Sequence, residues 1–307
     1  MLTHPSNTTT HSSRASSGAA HGHRRRGNGL ISVLRLVRLS NSLPAAGLVL
    51  LGARLSVGWP WPASVWAAAA AMWMVTAFGY VSNDYHDVAE DRINKPDRPL
   101  PAGYVPLWLA RALISLLATG AVGVAAWIGW AELVVALAVL ALLTLYNRRL
   151  KATPAVGNLL IGGLAGCALI AGGVAAQGFA WRAIGTLAAP AGLLAAFITA
   201  RELVKTLEDA PGDRATGKRT AAVQLGSRGV LTLVAGLALV GGGLSVIPVL
   251  RGEVSPAFLW LACVGVQGPL FFAVIYLWRS ATPVRIRRCL RLLKGSYWAG
   301  LAALLLA

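Results

Sequence analysis

The sequence predicts an all-α, polytopic membrane protein of about nine transmembrane helices, and three observations predict it. Of its 307 residues 56% are hydrophobic and only 13% charged, about half the roughly 25% charge of soluble domains. Apolar stretches of about 18 to 25 residues, enough to cross a bilayer, recur along nearly the whole chain. These segments carry almost none of the polar residues that the outer helices of a soluble core need. The Lys and Arg residues gather in short clusters between the apolar stretches, which is the pattern of membrane topology. That placement also excludes nucleic acid as the partner, which the net charge of +17 would otherwise suggest.

Residues 1–29 are rich in Ser, Thr, His, Gly and Arg and show no apolar periodicity, so a disordered, basic, cytoplasmic tail is expected there. Its polar stretch is too long for a cleaved signal peptide, and the first apolar segment runs directly into further spans. Four of the five histidines lie in this tail, scattered without metal-ligand spacing. The membrane domain occupies 30–307, with spans expected near 31–57, 64–83, 105–121, 122–146, 155–176, 184–206, 229–250, 255–278 and 289–307. Only Gly120 and Gly123 divide the third span from the fourth. Cys167, Cys263 and Cys289 are far apart and read as small core residues.

The basic residues fix an orientation. Six lie between the start of the chain and Arg38. Alternate connections then hold Arg92, Lys95 and Arg98; Arg148, Arg149 and Lys151; the run from Arg201 to Arg228; and Arg279 to Lys294. The opposite connections hold little beyond Arg54, Arg182 and Arg251. By the positive-inside rule the N-terminus and all four basic loops face the cytoplasm, and the C-terminus ends outside. The expectation is a multi-pass protein of a bacterial cell membrane.

The acidic residues mark a site. There are 11, of which five fall between Asp84 and Asp97 and four between Glu202 and Asp213; the other two are Glu132 and Glu253. A carboxylate at the end of a span is costly unless it is paired or bound to a cation. Asn83, Asp87 and Asp91 are four apart, so on a helix they share one face, with Asp84 able to join them. Asp209 and Asp213 repeat that spacing at the end of the sixth span.

Hard oxygen ligands in such pairs suit Mg2+, which keeps several waters and shares itself with substrate phosphates. Two groups facing each other across a helical bundle would hold a metal-bridged diphosphate. The competing explanation is a pair of helix-end charge clusters balanced by neighbouring Arg and Lys. Arg92 and Arg98 follow the first cluster; Lys205, Arg214, Lys218 and Arg219 flank the second. Pro96, Pro99 and Pro101 fix the backbone around Arg98, which singles it out. His86 is a candidate base, but its offset turns it off the 83/87/91 face.

Asn83-Asp84-x-x-Asp87-x-x-x-Asp91 followed by Arg98-Pro99-Leu100-Pro101-x-Gly103 resembles the first signature of the UbiA superfamily of intramembrane prenyltransferases. Asp209-x-x-x-Asp213 followed by Gly217-Lys218-Arg219-Thr220 resembles the second, and the likeness runs from about Arg35 to the C-terminus. The wording of both motifs is nearest to the branch of geranylgeranylglyceryl-phosphate and chlorophyll-type synthases. The resemblance implies nine helices around a lipid-open central cavity, capped by the loops that carry the motifs. It implies Mg2+–diphosphate roles for Asn83, Asp87, Asp91, Asp209 and Asp213, with Asp84 beside them. Tyr146 and Lys151 are similar to the family's Tyr and Lys after the fourth span, and Arg38 and Asn41 to the polar pair that opens the first. Two positions depart from the pattern: Thr206 stands where that branch often has an Asp, and Pro211 should kink or end the helix between Asp209 and Asp213.

The expected reaction is Mg2+-dependent transfer of a prenyl chain from a polyprenyl diphosphate to a lipophilic acceptor, an aromatic ring or an alcohol, within the membrane lipid. Neutralising the bridging oxygen releases the diphosphate, and a dry site keeps water from the allyl cation. Gly162, Gly163, Gly172 and Gly173 are expected to let helices pack closely, and the 11 tryptophans to line the tail pocket or anchor at the interface. A terpene cyclase on the same fold and a divalent-cation transporter are the rival readings. A transporter would hold its ion near the midplane, beside broken helices in repeated halves.

Overall fold

The computed structural model describes residues 29–306 apart from Ala180 and Glu253, so the expected disordered tail and the acid at 253 lie outside the described residues. All regular structure among the described residues is helical. In chain order the helices are α1 (Gly29–Val37), α2 (Leu39–Val57), α3 (Ala63–His86), α4 (Val88–Asn94), α5 (Leu107–Ile128) and α6 (Trp130–Arg148). They continue as α7 (Val156–Gln177), α8 (Trp181–Ala215), α9 (Ala221–Leu250), α10 (Pro256–Leu261), α11 (Gly268–Arg279) and α12 (Pro283–Leu305). A 3-10 turn at Leu150–Ala152 follows α6, and a π-helical turn at Ala262–Gln267 joins α10 to α11.

Among the described residues seven helices are long and apolar enough to span a bilayer, counting Pro256–Arg279 (α10, the π turn and α11) as one, or eight if α1 and α2, bent by 45°, form one span. The bend sits at Arg38, whose φ of 51° is left-handed. The expected ninth span corresponds to α12, whose first turns carry Arg285, Arg287, Arg288, Arg291 and Lys294. The chain is thus an integral, multi-pass membrane protein, and nine is an approximate count.

One boundary differs from expectation. Gly120 and Gly123 remain inside α5, and the chain turns at Gly129, between the exposed Trp127 and Trp130. A helix tolerates a glycine at about 1 kcal/mol, and Gly120 faces Met74 of α3. An interfacial tryptophan pair marks the turn better than the glycines do.

Helix α7 is the central packing element, pressed between α2 and α8. A Cβ at Gly172 would strike the Val49 carbonyl of α2, and one at Gly162 or Gly166 would strike the Ala195 or Ala191 carbonyl of α8. Gly52 of α2 lies in the same way against Leu169 of α7. Small residues therefore set these helix separations. Gly163 differs from expectation: it faces open space and packs against nothing within 4 Å. α3 packs on α5 and α6, α9 and α12 pack on α8, and α11 packs on α9 and α12. The short α4 lies against α8, which brings the two acidic segments together at one end of the bundle.

Candidate active site

The first acidic segment straddles a break. Asp87 adopts φ −97° and ψ 12°, ending α3 and starting α4. The backbone register survives, because the Asp87 N–H donates to the Asn83 carbonyl at 3.0 Å and the Asp91 N–H to the Asp87 carbonyl at 2.8 Å. Asn83, Asp87 and Asp91 therefore line one cleft, as the spacing predicted. After α4 the chain turns at Lys95–Arg98 and closes at Gly103, whose φ of 73° favours glycine.

The second segment departs from expectation at Pro211, which does not end α8; the helix runs on to Ala215. Part of the reason lies in Asn94. Its side-chain amide donates to the Asp209 carbonyl at 3.0 Å and accepts from the Gly212 N–H at 3.1 Å, so it satisfies backbone groups beside the proline. A Cβ at Gly212 would collide with that amide, so only glycine permits the approach. Beyond α8, Gly217 adopts φ 73°, the Gly217 N–H donates to the Arg214 carbonyl and the Lys218 N–H to the Asp213 carbonyl, a Schellman stop. That turn sends Lys218 back over the cleft, while Thr220 Oγ1 donates to Asp213 Oδ2 at 3.1 Å.

The cleft is lined by Asn83, Asp87, Asp91, Asp209 and Asp213, together with Glu90, Asn94, Lys95, Arg98, Tyr146, Lys151, Asn158, Glu202, Lys205, Thr206 and Thr220. Lysines tie its walls together. Lys95 Nζ donates to Asp209 Oδ1 at 2.5 Å, and Lys218 Nζ donates to Asp87 Oδ1 at 3.0 Å and lies 2.7 Å from Glu90 Oε1. Lys151, arriving from the 3-10 turn, pairs with Asp87 and donates to Asn83 Oδ1 at 2.9 Å. Burial alone would raise the Asp87 carboxyl, but Lys151 and Lys218 more than offset it and hold it down at about 2. At Asp91 burial wins over Arg98, and its carboxyl lies above the ordinary value.

Asp84 is placed differently from its neighbours. It is buried and pairs with Arg38, and it accepts from Arg98 Nη1 at 3.1 Å; it does not line the cleft. The same guanidinium donates to Asp91 Oδ2 at 2.6 Å. Arg38 and Asn41 also lie outside the lining, with Arg38 stacked over the Tyr80 ring at 5.0 Å. His86 is exposed and directed at the Ser82 carbonyl, and Arg92, Arg214 and Arg219 are exposed too.

Several lining residues escaped the sequence reading as site residues. Asn94 and Asn158 carried no signal, since a lone amide has no spacing to recognise. Glu90 lay inside the first motif but off its four-residue rhythm. It is buried, and its Oε2 has no hydrogen-bond partner. Glu202 was counted with the second acidic group but given no role.

Mg2+ fits this donor set. Among the described residues no three carboxylates converge to hold a metal by themselves. The hard oxygens instead form two opposed sets, with an orphaned Glu90 oxygen at the edge, which suits an ion that completes its shell with water and phosphate oxygens.

The profile of the UbiA prenyltransferase family matches residues 41–296. Digeranylgeranylglyceryl phosphate synthase of Halobacterium salinarum is 38% identical over 242 residues, covering 78% of this chain and 84% of the relative. The enzyme of the same name from Natronomonas pharaonis is 34% identical over 248 residues, 81% of this chain and 87% of the relative. Among solved structures, the apo UbiA homologue from Aeropyrum pernix K1 superposes with a TM-score of 0.73 at 20% identity, over 87% of this chain and 98% of that one. A UbiA homologue from Archaeoglobus fulgidus bound to DMAPP and Mg2+ gives a TM-score of 0.64 at 15% identity, over 90% and 100%.

Proposed function

The chain belongs to the UbiA prenyltransferase family, and from that premise we propose that it transfers a polyprenyl chain from its diphosphate to the hydroxyl of a prenylated glyceryl phosphate. The observation that carries this reading is the single cleft in which the two acidic motifs face each other. The relatives named digeranylgeranylglyceryl phosphate synthase, 34–38% identical, direct the acceptor toward a glycerol-based alcohol and away from an aromatic ring.

Asn83, Asp87 and Asp91 on one wall and Asp209 and Asp213 on the other would hold Mg2+. When bound, the metal supplies charge neutralisation at the departing diphosphate. Lys95, Arg98, Lys151 and Lys218 would set positive charge beside the same oxygens, where negative charge grows as the allylic C–O bond breaks. Tyr146 and Lys205 line the deeper part of the cleft. Farther along α8 an apolar cleft lined by Leu193, Phe197, Val266 and Tyr297 among others offers the kind of wall an isoprenoid tail would lie against. Arg38 and Asp84 orient Arg98 from behind. The basic connections support an orientation with the site at the cytoplasmic face.

A transporter reading is disfavoured by a site at one end of the bundle, and a cyclase needs no second polar substrate in the cleft. The test supplies membranes containing the protein with labelled geranylgeranyl diphosphate, Mg2+ and geranylgeranylglyceryl phosphate. The expected outcome is an ether product that vanishes with chelator and in Asp87→Ala. A cyclised hydrocarbon, or no turnover with any acceptor, would sink the reading.

A further inference from the structure

Glu202 is a carboxylate of the cleft that the diphosphate chemistry does not use. Glu202 lies seven residues before Asp209 on α8, which places it about 10 Å deeper along the helix axis. It lines the same cleft, between the Asp pair at the rim and the apolar cleft beyond Phe197. A carboxylate at that depth is expensive to keep, and two cations pair with it. Arg201 Nη1 donates to its Oε1 at 2.6 Å and Lys205 Nζ to its Oε2 at 3.1 Å. Each oxygen has capacity for a further hydrogen bond. The lining of the same cleft also presents Tyr146 from α6, Asn158 from α7 and Thr206 from α8.

A lipid alcohol reaching the cleft from the bilayer side would meet these groups before the Asp pair at the rim. We infer that Glu202 is the general base of the transfer, accepting the proton of the acceptor hydroxyl, with Lys205 and Arg201 fixing its carboxylate. The inference rests on the alcohol-acceptor reading above. In the step, the bond between the allylic carbon and the diphosphate oxygen breaks and its electron pair leaves with the diphosphate. A lone pair of the acceptor oxygen forms the new C–O bond, and the O–H proton passes to the Glu202 carboxylate, which later returns it to solvent. An oxygen being alkylated becomes far more acidic than any carboxylic acid, so a carboxylate stabilised by two cations is still a sufficient base.

The test uses the full chain in lipid nanodiscs with geranylgeranyl diphosphate, Mg2+ and geranylgeranylglyceryl phosphate, comparing wild type with Glu202→Gln and Glu202→Asp. Donor binding is measured separately from ether formation. The expected result for Glu202→Gln is a loss of about 100-fold in kcat for the ether. Donor Kd should stay within about twofold of wild type, any released diphosphate should be accompanied by the free prenyl alcohol, and Glu202→Asp should recover part of the rate. Unchanged ether formation in Glu202→Gln would overturn the assignment. So would a matching loss of donor binding, which would make Glu202 part of the donor site or of the fold. If wild type itself makes no ether from this acceptor, the functional reading fails first, and the wild-type arm alone reveals that.

Discussion

Asn94 and Gly212 are joined across the two acidic motifs: the Gly212 N–H donates to the Asn94 side-chain oxygen at 3.1 Å, while the other end of the same amide holds the Asp209 carbonyl. Both motifs thus share one hydrogen-bonded clamp, and the spacing between their carboxylates depends on it. Asn94→Ala and Gly212→Ala should each cut prenyl transfer by about tenfold, the cost of roughly one to two buried hydrogen bonds. Each should also raise the Mg2+ concentration needed for half-maximal rate. The double variant should be no worse than either single one, because both break the same contact. Additive losses would show that the two residues act separately.

Asp84 was expected beside the metal ligands, yet it serves Arg38 and Arg98. Asp84→Asn should therefore weaken the binding of prenyl diphosphate, by releasing Arg98, without changing the Mg2+ requirement. Asp87→Asn should change both. Titrating Mg2+ at saturating donor separates the two, and a shifted Mg2+ midpoint in Asp84→Asn would return Asp84 to the ligand set.

Thr206 lines the cleft with its hydroxyl turned back to the Leu203 carbonyl at 2.7 Å. An aspartate there would add a hard, charged oxygen to the cleft. Thr206→Asp should lower the half-saturating Mg2+ concentration by on the order of threefold, since affinity follows ligand charge. Activity measured across a Mg2+ series decides it, and an unchanged midpoint would mean that position 206 does not reach the metal.

The pH response of the ligand-free protein follows from Asp87, held at about 2 against an ordinary 3.8. A depressed carboxylate contributes stability above its unfolded pKa and loses it as pH falls through the folded value. The Asp87 contribution is thus complete above about pH 4 and gone below about pH 2. Lys218→Met removes one of the ammonium groups responsible, so its acid unfolding, followed by tryptophan fluorescence, should begin at higher pH than in wild type. Coincident curves would remove Lys218 from the account of Asp87.

Much of this was legible beforehand for physical reasons. The bilayer demands long apolar helices, so span positions could be read from composition, and a carboxylate is so costly in lipid that acidic clusters announced the site. What stayed hidden was local compensation. Pro211 looked like a helix stop because its defect is visible in sequence, whereas the repair by Asn94 is 117 positions away. Asp84 differs from Asp87 only in which side of the helix end it leaves, and the break at Asp87 decides that. The turn at Gly129 was misplaced because a glycine inside α5 and a glycine at a turn look alike until the flanking tryptophans are weighed.

The lysines resting on the Asp carboxylates make the cleft a covalently tethered ion exchanger. A divalent cation coming to Asp87 finds an ammonium group on each carboxylate oxygen, and one coming to Asp209 finds Lys95 on Oδ1, all of them chained to the protein and unable to diffuse away. Free Mg2+ is therefore a weak competitor, but a metal that arrives with a diphosphate gives each displaced lysine an anionic oxygen to move onto. Loading becomes a swap of partners with little change in net charge. A chelator should accordingly strip activity while leaving the melting temperature almost untouched, and Mg2+ should bind tightly only when the prenyl diphosphate comes with it.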